Sequence, residues 1–143
     1  MAVRFHKADV SFRVPQSTAI KSFLRQQFSI TTSKTLDLDC IFCSDEYLLN
    51  VNRTFLQHDY YTDIITFPLD ETEKKTVAEI YISIDRVKEN ATAENVSFEN
   101  ELQRVIFHGV LHLCGFKDKT KAQSQLMREM ENQWLAEFTK LVA

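Results

Sequence analysis

Two histidines four residues apart, His108 and His112, have the spacing best suited to metal chemistry in this sequence. On a helix they lie about 40° apart around the axis and about 6 Å apart along it, so both imidazoles can reach one cation. Asp118 is the next carboxylate downstream. A His, His, Asp set leaves coordination positions open, as a catalytic metal site requires. We therefore predict one divalent metal ion held by His108, His112 and Asp118.

The only two glycines of the chain, Gly109 and Gly115, both lie in this motif. Gly109 falls inside the predicted helix, where glycine costs about 1 kcal/mol relative to alanine, which indicates a close approach to the backbone. It also occupies the place of the catalytic Glu in H-E-x-x-H proteases, so chemistry of that type is not expected. Gly115 is typical of a left-handed helix C-cap, which would turn Asp118 back towards the imidazoles.

The three cysteines offer weaker sites. Cys114 is an alternative third ligand, but on a continuing helix it lies about 120° from His108, so an inert, buried thiol is favoured. Cys40 and Cys43 form a C-x-x-C within an alternating stretch. Their odd spacing puts them on opposite faces of a strand, which favours two buried strand cysteines over a redox or zinc pair.

The elements that position these residues follow from apolar periodicity. We predict a loop over 58–61 and a charged turn over 70–76. The expected regular elements are an extended segment within 3–14, a helix capped by Ser17, a strand over 36–43, a helix capped by Ser44, strands over 62–67 and 79–84, and helices over 85–93, from Ser97, and over 121–141. The second helix carries Tyr47, Leu48, Val51 and Phe55.

This order of elements predicts an α+β fold in a single domain over 1–143. A small mixed sheet of about four strands is covered by helices, and the metal site lies at the C-terminal end of a central helix. The chain has 143 residues, of which 44% are hydrophobic and 26% charged, as is ordinary for a globular domain. It contains no apolar run long enough to span a membrane and does not begin with the pattern of a secretory signal sequence. We therefore expect a cytoplasmic protein. A net charge of −3 disfavours broad nucleic-acid binding but leaves room for a local basic groove.

Several motifs in order resemble the YbeY family of metal-dependent, single-strand endoribonucleases, the ribosomal RNA maturation factors. The run 108–116 resembles the family signature His-Gly-x-Leu-His-Leu-x-Gly-aromatic. Segments 52–55 and 59–68 resemble its Asn-x-x-aromatic and Asp-x-Pro-Thr-Asp-Val-Leu-Ser-Phe-Pro block, and 78–83 resembles its Gly-Asp-Ile-x-Ile-Ser strand. The resemblance spans about 48–119 and implies an endoribonuclease in ribosome biogenesis that matures the 3′ end of small-subunit ribosomal RNA. The implied partners are single-stranded RNA and the ribosomal assembly machinery, with no membrane.

The family holds a metal, usually zinc, through three histidines in H-x3-H-x5-H. The first two positions correspond to His108 and His112, and the third is Asp118 here. A carboxylate also ligates zinc. However, an anion in place of an imidazole makes the metal a weaker Lewis acid and lets harder metals such as Mn²⁺ compete better.

A second departure concerns phosphate binding. The family usually carries an Arg where Leu56 stands, and its Gly-Asp is replaced by Ala78-Glu79. Candidates for the missing cation are Arg53, Arg104, Lys117 and Lys119. The catalytic groups stay open, with Arg104, Lys117 and Asp63 as candidates.

Other polar and aromatic residues have two interpretations each. Asp63 could orient a ligating imidazole or cap a strand end. Tyr60 and Tyr61 could stack on bases but are more simply loop residues. His6 and His58 are expected to be surface histidines.

Two other functions remain open. One is a non-catalytic ribosome-assembly module whose metal is structural, and a fourth protein ligand closing the site would favour it. The other is a metal hydrolase acting on a small molecule or peptide, which a deep, narrow pocket would favour over a shallow groove.

Overall fold

The computed structural model describes residues 2–143 and has the predicted α+β fold, with a four-stranded mixed sheet. The elements in chain order are β1 (Val3–Lys7), α1 (Ser17–Thr32), β2 (Thr35–Cys43), α2 (Asp45–Val51) with a π-helical turn (Asn52–Leu56), β3 (Ile64–Glu71), β4 (Lys75–Ser83), α3 (Ile84–Glu94), α4 (Phe98–Leu113) and α5 (Lys121–Val142).

The sheet has the order β1-β2-β4-β3, in which only β3 runs antiparallel. Alternate residues of β2 are buried from Leu36 to Phe42, as the period of two predicts. The β3–β4 hairpin is longer than expected, because Asp70 pairs with Val77 and Glu71 with Thr76. The prediction of a charged turn over 70–76 was therefore wrong at both ends. Charged side chains are compatible with a strand whose outer face is exposed to water.

Helices α1 and α4 pack against the sheet, and α5 packs against these two helices around an aromatic cluster. Phe23 packs against Phe107, Trp134 and Phe138, with ring centroids 5.3–6.1 Å apart. Gly109 of α4 faces the sheet: a Cβ there would lie 2.7 Å from Cδ1 of Ile64. The close approach predicted at Gly109 is therefore that of the helix to the sheet.

Helix caps explain where most helices begin. Ser44 and Ser97 each accept a hydrogen bond from the backbone N–H three residues on, as predicted. The prediction for Ser17 was wrong. Gln16 is the N-cap of α1, with a left-handed backbone (φ 57°) and no side-chain cap, because Ser17 has already entered the helix.

The helix after Ser44 changes its period at Asn52. Leu48 and Val51 are buried as predicted, whereas Tyr47 and Phe55 are exposed by 38% and 68%. The π-helical turn has a wider repeat than the α-helix, so the residues after Asn52 no longer follow the apolar stripe.

No helix in the described part of the chain is long and apolar enough to cross a membrane.

Candidate metal centre

The C-terminal end of α4 and the segment after it bring three ligand atoms together. Nε2 of His108 lies 3.1 Å from Nε2 of His112. Oδ2 of Asp118 lies 3.2 Å from the first nitrogen and 3.3 Å from the second. Within residues 2–143, this is the one group of three or more such side chains whose ligand atoms converge closely enough for one ion.

The size of this triangle fits a metal. Ligand atoms bound to zinc at about 2.0–2.1 Å in a tetrahedron lie about 3.3 Å from each other. The observed separations of 3.1–3.3 Å match one face of such a polyhedron. Two imidazoles and one carboxylate are also a donor set that divalent metals accept. Residues 2–143 thus offer three candidate ligand atoms on one side of the site and none from the other.

A helix cap returns Asp118 to the histidines. Gly115 has φ +103°, and its N–H donates to the carbonyl of His112 at 3.0 Å. The N–H of Phe116 donates to the carbonyl of Leu111 at 3.1 Å. These two bonds form a Schellman motif, so the left-handed cap predicted at Gly115 is confirmed. The cap reverses the chain within one turn of His112, which is why a carboxylate six residues later can meet both imidazoles.

Glu131 of α5, which the sequence interpretation missed, orients His108. It is 5% exposed, and its Oε2 lies 2.7 Å from Nδ1 of His108 while its Oε1 accepts from Nη1 of Arg104 at 3.1 Å. Burial alone would raise the pKa of Glu131, but the hydrogen bonds from His108 and Arg104 bring it below its usual value. The ionised carboxylate can only accept. Nδ1 of His108 therefore carries a proton in this contact. Nε2, which faces the other two ligand atoms, is left as the ring nitrogen that can bind a metal.

The sequence does contain a signal for Glu131. Met127, Glu131, Trp134 and Phe138 follow each other at steps of four, three and four, and all four are buried. A carboxylate in the apolar stripe of a helix requires a partner, and a histidine on a neighbouring helix is a natural one.

Asp63 lies just before β3 on the same side of the sheet as His108 and lines both cavities beside the centre. Its Oδ2 accepts from Nδ2 of Asn90 at 3.4 Å, and its backbone carbonyl accepts from the N–H of Ser83 at 2.9 Å. Burial raises the pKa of this carboxyl, although the neighbouring His108 opposes the shift. Both predicted roles, orienting an imidazole and capping a strand end, therefore stay open.

The candidate phosphate-binding cations lie in different places. Arg104 is held by Glu131 and by Oδ1 of Asn132 at 3.0 Å. Arg53 is exposed and pairs with Asp59. Lys117 and Lys119 are exposed.

The loop aromatics interact with their neighbours. Tyr60 is 56% exposed and stacks on His58 with ring centroids 5.2 Å apart. Tyr61 is 46% exposed, and its hydroxyl donates to Glu46. The structure thus places both tyrosines at the surface.

The thiols are poor ligands. Burial raises the pKa of Cys114 to about 12, and Cys114 does not belong to the converging group. Cys40 and Cys43 are both free and buried, as predicted. Burial is also the largest cause that raises the pKa of Cys43 to about 12.

Two cavities meet at the centre. A groove of about 850 Å³ extends from His108, His112 and Asp118 along β3. A smaller cavity of about 370 Å³ lies on the other side of His108, between α4 and α5, and includes Arg104. The side of the triangle that has no protein ligand is thus reached from a groove.

Comparisons with known proteins find relatives that match nearly the whole chain. The family model described as Endoribonuclease YbeY matches residues 4–139. Endoribonuclease YbeY of Cytophaga hutchinsonii is 47% identical over 128 residues, 90% of each chain. Its counterpart in Parabacteroides distasonis is 41% identical over 136 residues, 95% of each chain. The solution structure of TM1509 from Thermotoga maritima is similar with a TM-score of 0.61 and 27% identity, covering 95% of this chain and 88% of that one.

Proposed function

The chain belongs to the YbeY endoribonuclease family, and we propose that it is a metal-dependent endoribonuclease that hydrolyses phosphodiester bonds in single-stranded RNA. The observation that carries this proposal is the triangle of Nε2, Nε2 and Oδ2 atoms, 3.1–3.3 Å on each side. It lies at one end of a groove of about 850 Å³. Three protein ligands with an open side are the arrangement of a catalytic metal site.

Each residue of the centre has a defined task in this proposal. His108, His112 and Asp118 would hold the cation. A divalent cation in this position supplies a Lewis acid for a phosphoryl oxygen and lowers the pKa of water. Glu131 keeps the Nδ1 proton on His108 and so fixes which nitrogen is the ligand. Asp63, at the junction of the two cavities, is the carboxylate best placed to accept a proton from the attacking water.

Zinc is the favoured metal, on the family resemblance and the ligand set. The carboxylate of Asp118 in place of a third imidazole reduces the net positive charge of the occupied site. A harder ion such as Mn²⁺ should therefore compete better here than at a site with three histidines.

Family membership supports a role in ribosomal RNA processing. We propose that the RNA is the precursor of small-subunit ribosomal RNA, cleaved in the cytoplasm during 3′-end maturation, with the ribosomal assembly machinery as partner.

A non-catalytic assembly module with a structural metal is the main alternative. A structural zinc is normally enclosed by four protein ligands, whereas the converging group among residues 2–143 has three. A hydrolase for small molecules would need an enclosing pocket. The groove instead continues past the triangle along β3 to Lys34 and Glu71, which favours an extended polymer.

The proposal is tested by measuring bound metal and cleavage of single-stranded RNA on the same preparations. The set is wild type, His112→Ala, Asp118→Ala and the surface control His58→Ala. We expect His112→Ala and Asp118→Ala to lose metal and cleavage together, while His58→Ala keeps both. If the two ligand variants lose metal and stability together, and no preparation cleaves RNA, the structural module is established. Full metal retention by Asp118→Ala would remove Asp118 from the ligand set.

A further inference from the structure

The groove that begins at the metal centre has a second, chemically different end. Its wall follows β3 through Ile64, Thr66 and Pro68, which alternate along the strand and so point to the same side. At the far end it is lined by Lys34, which follows α1, and by Glu71, the last residue of β3. Nζ of Lys34 lies 2.8 Å from Oε1 of Glu71.

Lys34 is the only lysine or arginine that lines this groove in the described part of the chain. The cations considered from the sequence lie elsewhere: Arg104 lines the smaller cavity, and Arg53 is paired with Asp59. An RNA strand in the groove carries one negative charge per nucleotide. Since Leu56 offers no charge, Lys34 is the side chain in the groove that can neutralise a phosphate.

The distance between the two ends sets the length of strand required. Ile64 packs close to Gly109, next to His108, and Glu71 lies seven residues further along β3. At about 3.3 Å per residue this is about 23 Å. A stacked single strand advances about 3.4 Å per nucleotide, so about seven nucleotides, or fewer if extended, separate the two ends.

Thr76 supplies a second polar group at the end of the groove where Lys34 lies. Thr76 of β4 is 3% exposed and lines the groove. Its Oγ1 has no hydrogen-bond partner within residues 2–143. A buried hydroxyl normally has one, so Thr76 is a buried polar group left unsatisfied at this end of the groove.

We propose that Lys34 binds a backbone phosphate of single-stranded RNA a few nucleotides away from the metal centre, and that Glu71 is its partner when RNA is absent. This inference rests on the proposed function, because it takes the groove as the RNA path. The side chain of Glu71 is 62% exposed and that of Lys34 is 23% exposed, and an ion pair with an exposed partner is weakened by the surrounding water. A phosphate can therefore displace it at low cost.

The test is binding of uncleavable 2′-O-methyl oligouridylates, in a length series from the dinucleotide upwards, followed by fluorescence anisotropy over a range of salt. Lys34→Ala is compared with Lys7→Ala, which removes the same charge from the exposed Lys7 at the opposite edge of the sheet. Loss of one phosphate contact should weaken binding of the long oligonucleotides about fivefold at about 0.1 M salt and reduce the salt slope by about 0.7. The dinucleotide should bind equally to both variants.

Two further variants sharpen the result. Lys34→Arg should keep wild-type affinity, because guanidinium also binds phosphate. Glu71→Gln should increase the affinity for long oligonucleotides, since it removes the competing anion. Equal binding by Lys34→Ala and Lys7→Ala at every length would overturn the inference, as would a loss that is the same for the dinucleotide. Equal thermal unfolding midpoints for the variants serve as the folding control.

Cleavage of unmodified RNA by the same preparations separates this inference from the proposed function. If wild type cleaves RNA and Lys34→Ala binds like Lys7→Ala, the phosphate site is wrong and the enzyme stands. If wild type shows Lys34-dependent binding but cleaves nothing, the phosphate site stands and the proposed activity fails.

Discussion

Two clusters in this protein combine the same three kinds of side chain, an imidazole, a carboxylate and a guanidinium. In each, a histidine nitrogen lies 2.7 Å from a carboxylate oxygen, and the same carboxylate accepts from an arginine. We call them the centre cluster (His108, Glu131, Arg104) and the sheet-face cluster (His6, Asp39, Arg4). The first lies between α4 and α5 beside the groove, and the second lies on the face of β1 and β2 that the helices do not cover.

The two clusters differ in burial and in which histidine nitrogen is engaged. The carboxylate side chain of Glu131 is 6% exposed, whereas that of Asp39 is 31% exposed. His108 uses Nδ1 for its carboxylate and points Nε2 at two further ligand atoms. His6 instead uses Nε2 for the carboxylate itself, and it does not belong to the converging ligand group of the described chain. A His-carboxylate-Arg set thus becomes a candidate site only where burial orients the histidine towards other ligands.

The largest expected effect comes from removing the histidine of each cluster. His108→Ala should lower metal affinity by more than about 100-fold, because loss of a direct ligand exceeds the 10- to 100-fold typical of its hydrogen-bond partners. His6→Ala should leave metal affinity unchanged. Metal titration of both variants with a competing chelator provides the measurement. A similar loss in the two variants would mean that the clusters are not functionally different.

Removing the charge of the carboxylate should give the next largest effect. Glu131→Gln should weaken metal binding by about 10- to 100-fold, since His108 loses the partner that holds its Nδ1 proton. Asp39→Asn should leave metal binding intact. Zinc affinity at constant pH, measured alongside the circular dichroism spectrum, checks this. An unchanged zinc affinity in Glu131→Gln would show that the contact between Glu131 and His108 is structural only.

A smaller change is expected when the carboxylate ligand is replaced by an imidazole. Asp118→His should increase the preference for zinc over manganese, because the new ligand is neutral and softer. We expect the preference for zinc over manganese to change by less than about tenfold. This is smaller than the loss of metal affinity, about 10- to 100-fold, that follows removal of a hydrogen-bond partner of a ligand. Competition between the two metals, with wild type and His58→Ala as references, measures it. A shift towards manganese would contradict the assigned role of Asp118.

The smallest effect concerns the pH dependence of the sheet-face cluster. The hydrogen bond from Arg4 is the main cause that lowers the pKa of Asp39 to about 2 from 3.8. A carboxyl with a lowered folded pKa stabilises the fold above its unfolded pKa and loses that contribution as the pH falls through its folded pKa. Asp39→Asn should therefore be less stable than wild type above about pH 4, by no more than about 1 kcal/mol because the pair is exposed.

Urea unfolding of wild type and Asp39→Asn at several pH values between about 2 and 6 provides the test. The two unfolding free energies should converge as the pH approaches 2. A difference that grows towards acid would contradict the assigned ion pair.

Much of the fold follows from local patterns in the sequence. The period of two in β2 and the caps at Ser44 and Ser97 depend on neighbours within a few residues, and they were predicted correctly. The errors arose where a distant contact or a change of helical repeat decided the outcome. Glu71 extends β3 because Thr76 pairs with it, and Phe55 is exposed because a π-helical turn interrupts the stripe.

The sequence by itself determined the local part of the centre. Helical spacing puts His108 and His112 on one face, and Gly115 allows the reversal that returns Asp118. These three residues lie within eleven positions of each other, so backbone geometry alone brings them together.

Only the tertiary structure decided which residues complete the centre. Glu131 is 23 residues from His108 and meets it because α5 packs along α4. Lys34 reaches the groove because β3 carries Glu71 to the end of α1. An imidazole, a carboxylate and a guanidinium also meet in the exposed sheet-face cluster, so the kinds of side chain do not distinguish the two. The two clusters differ because the packing of the fold removes the side chains of the centre cluster from water. Burial then requires each polar group to be paired and oriented.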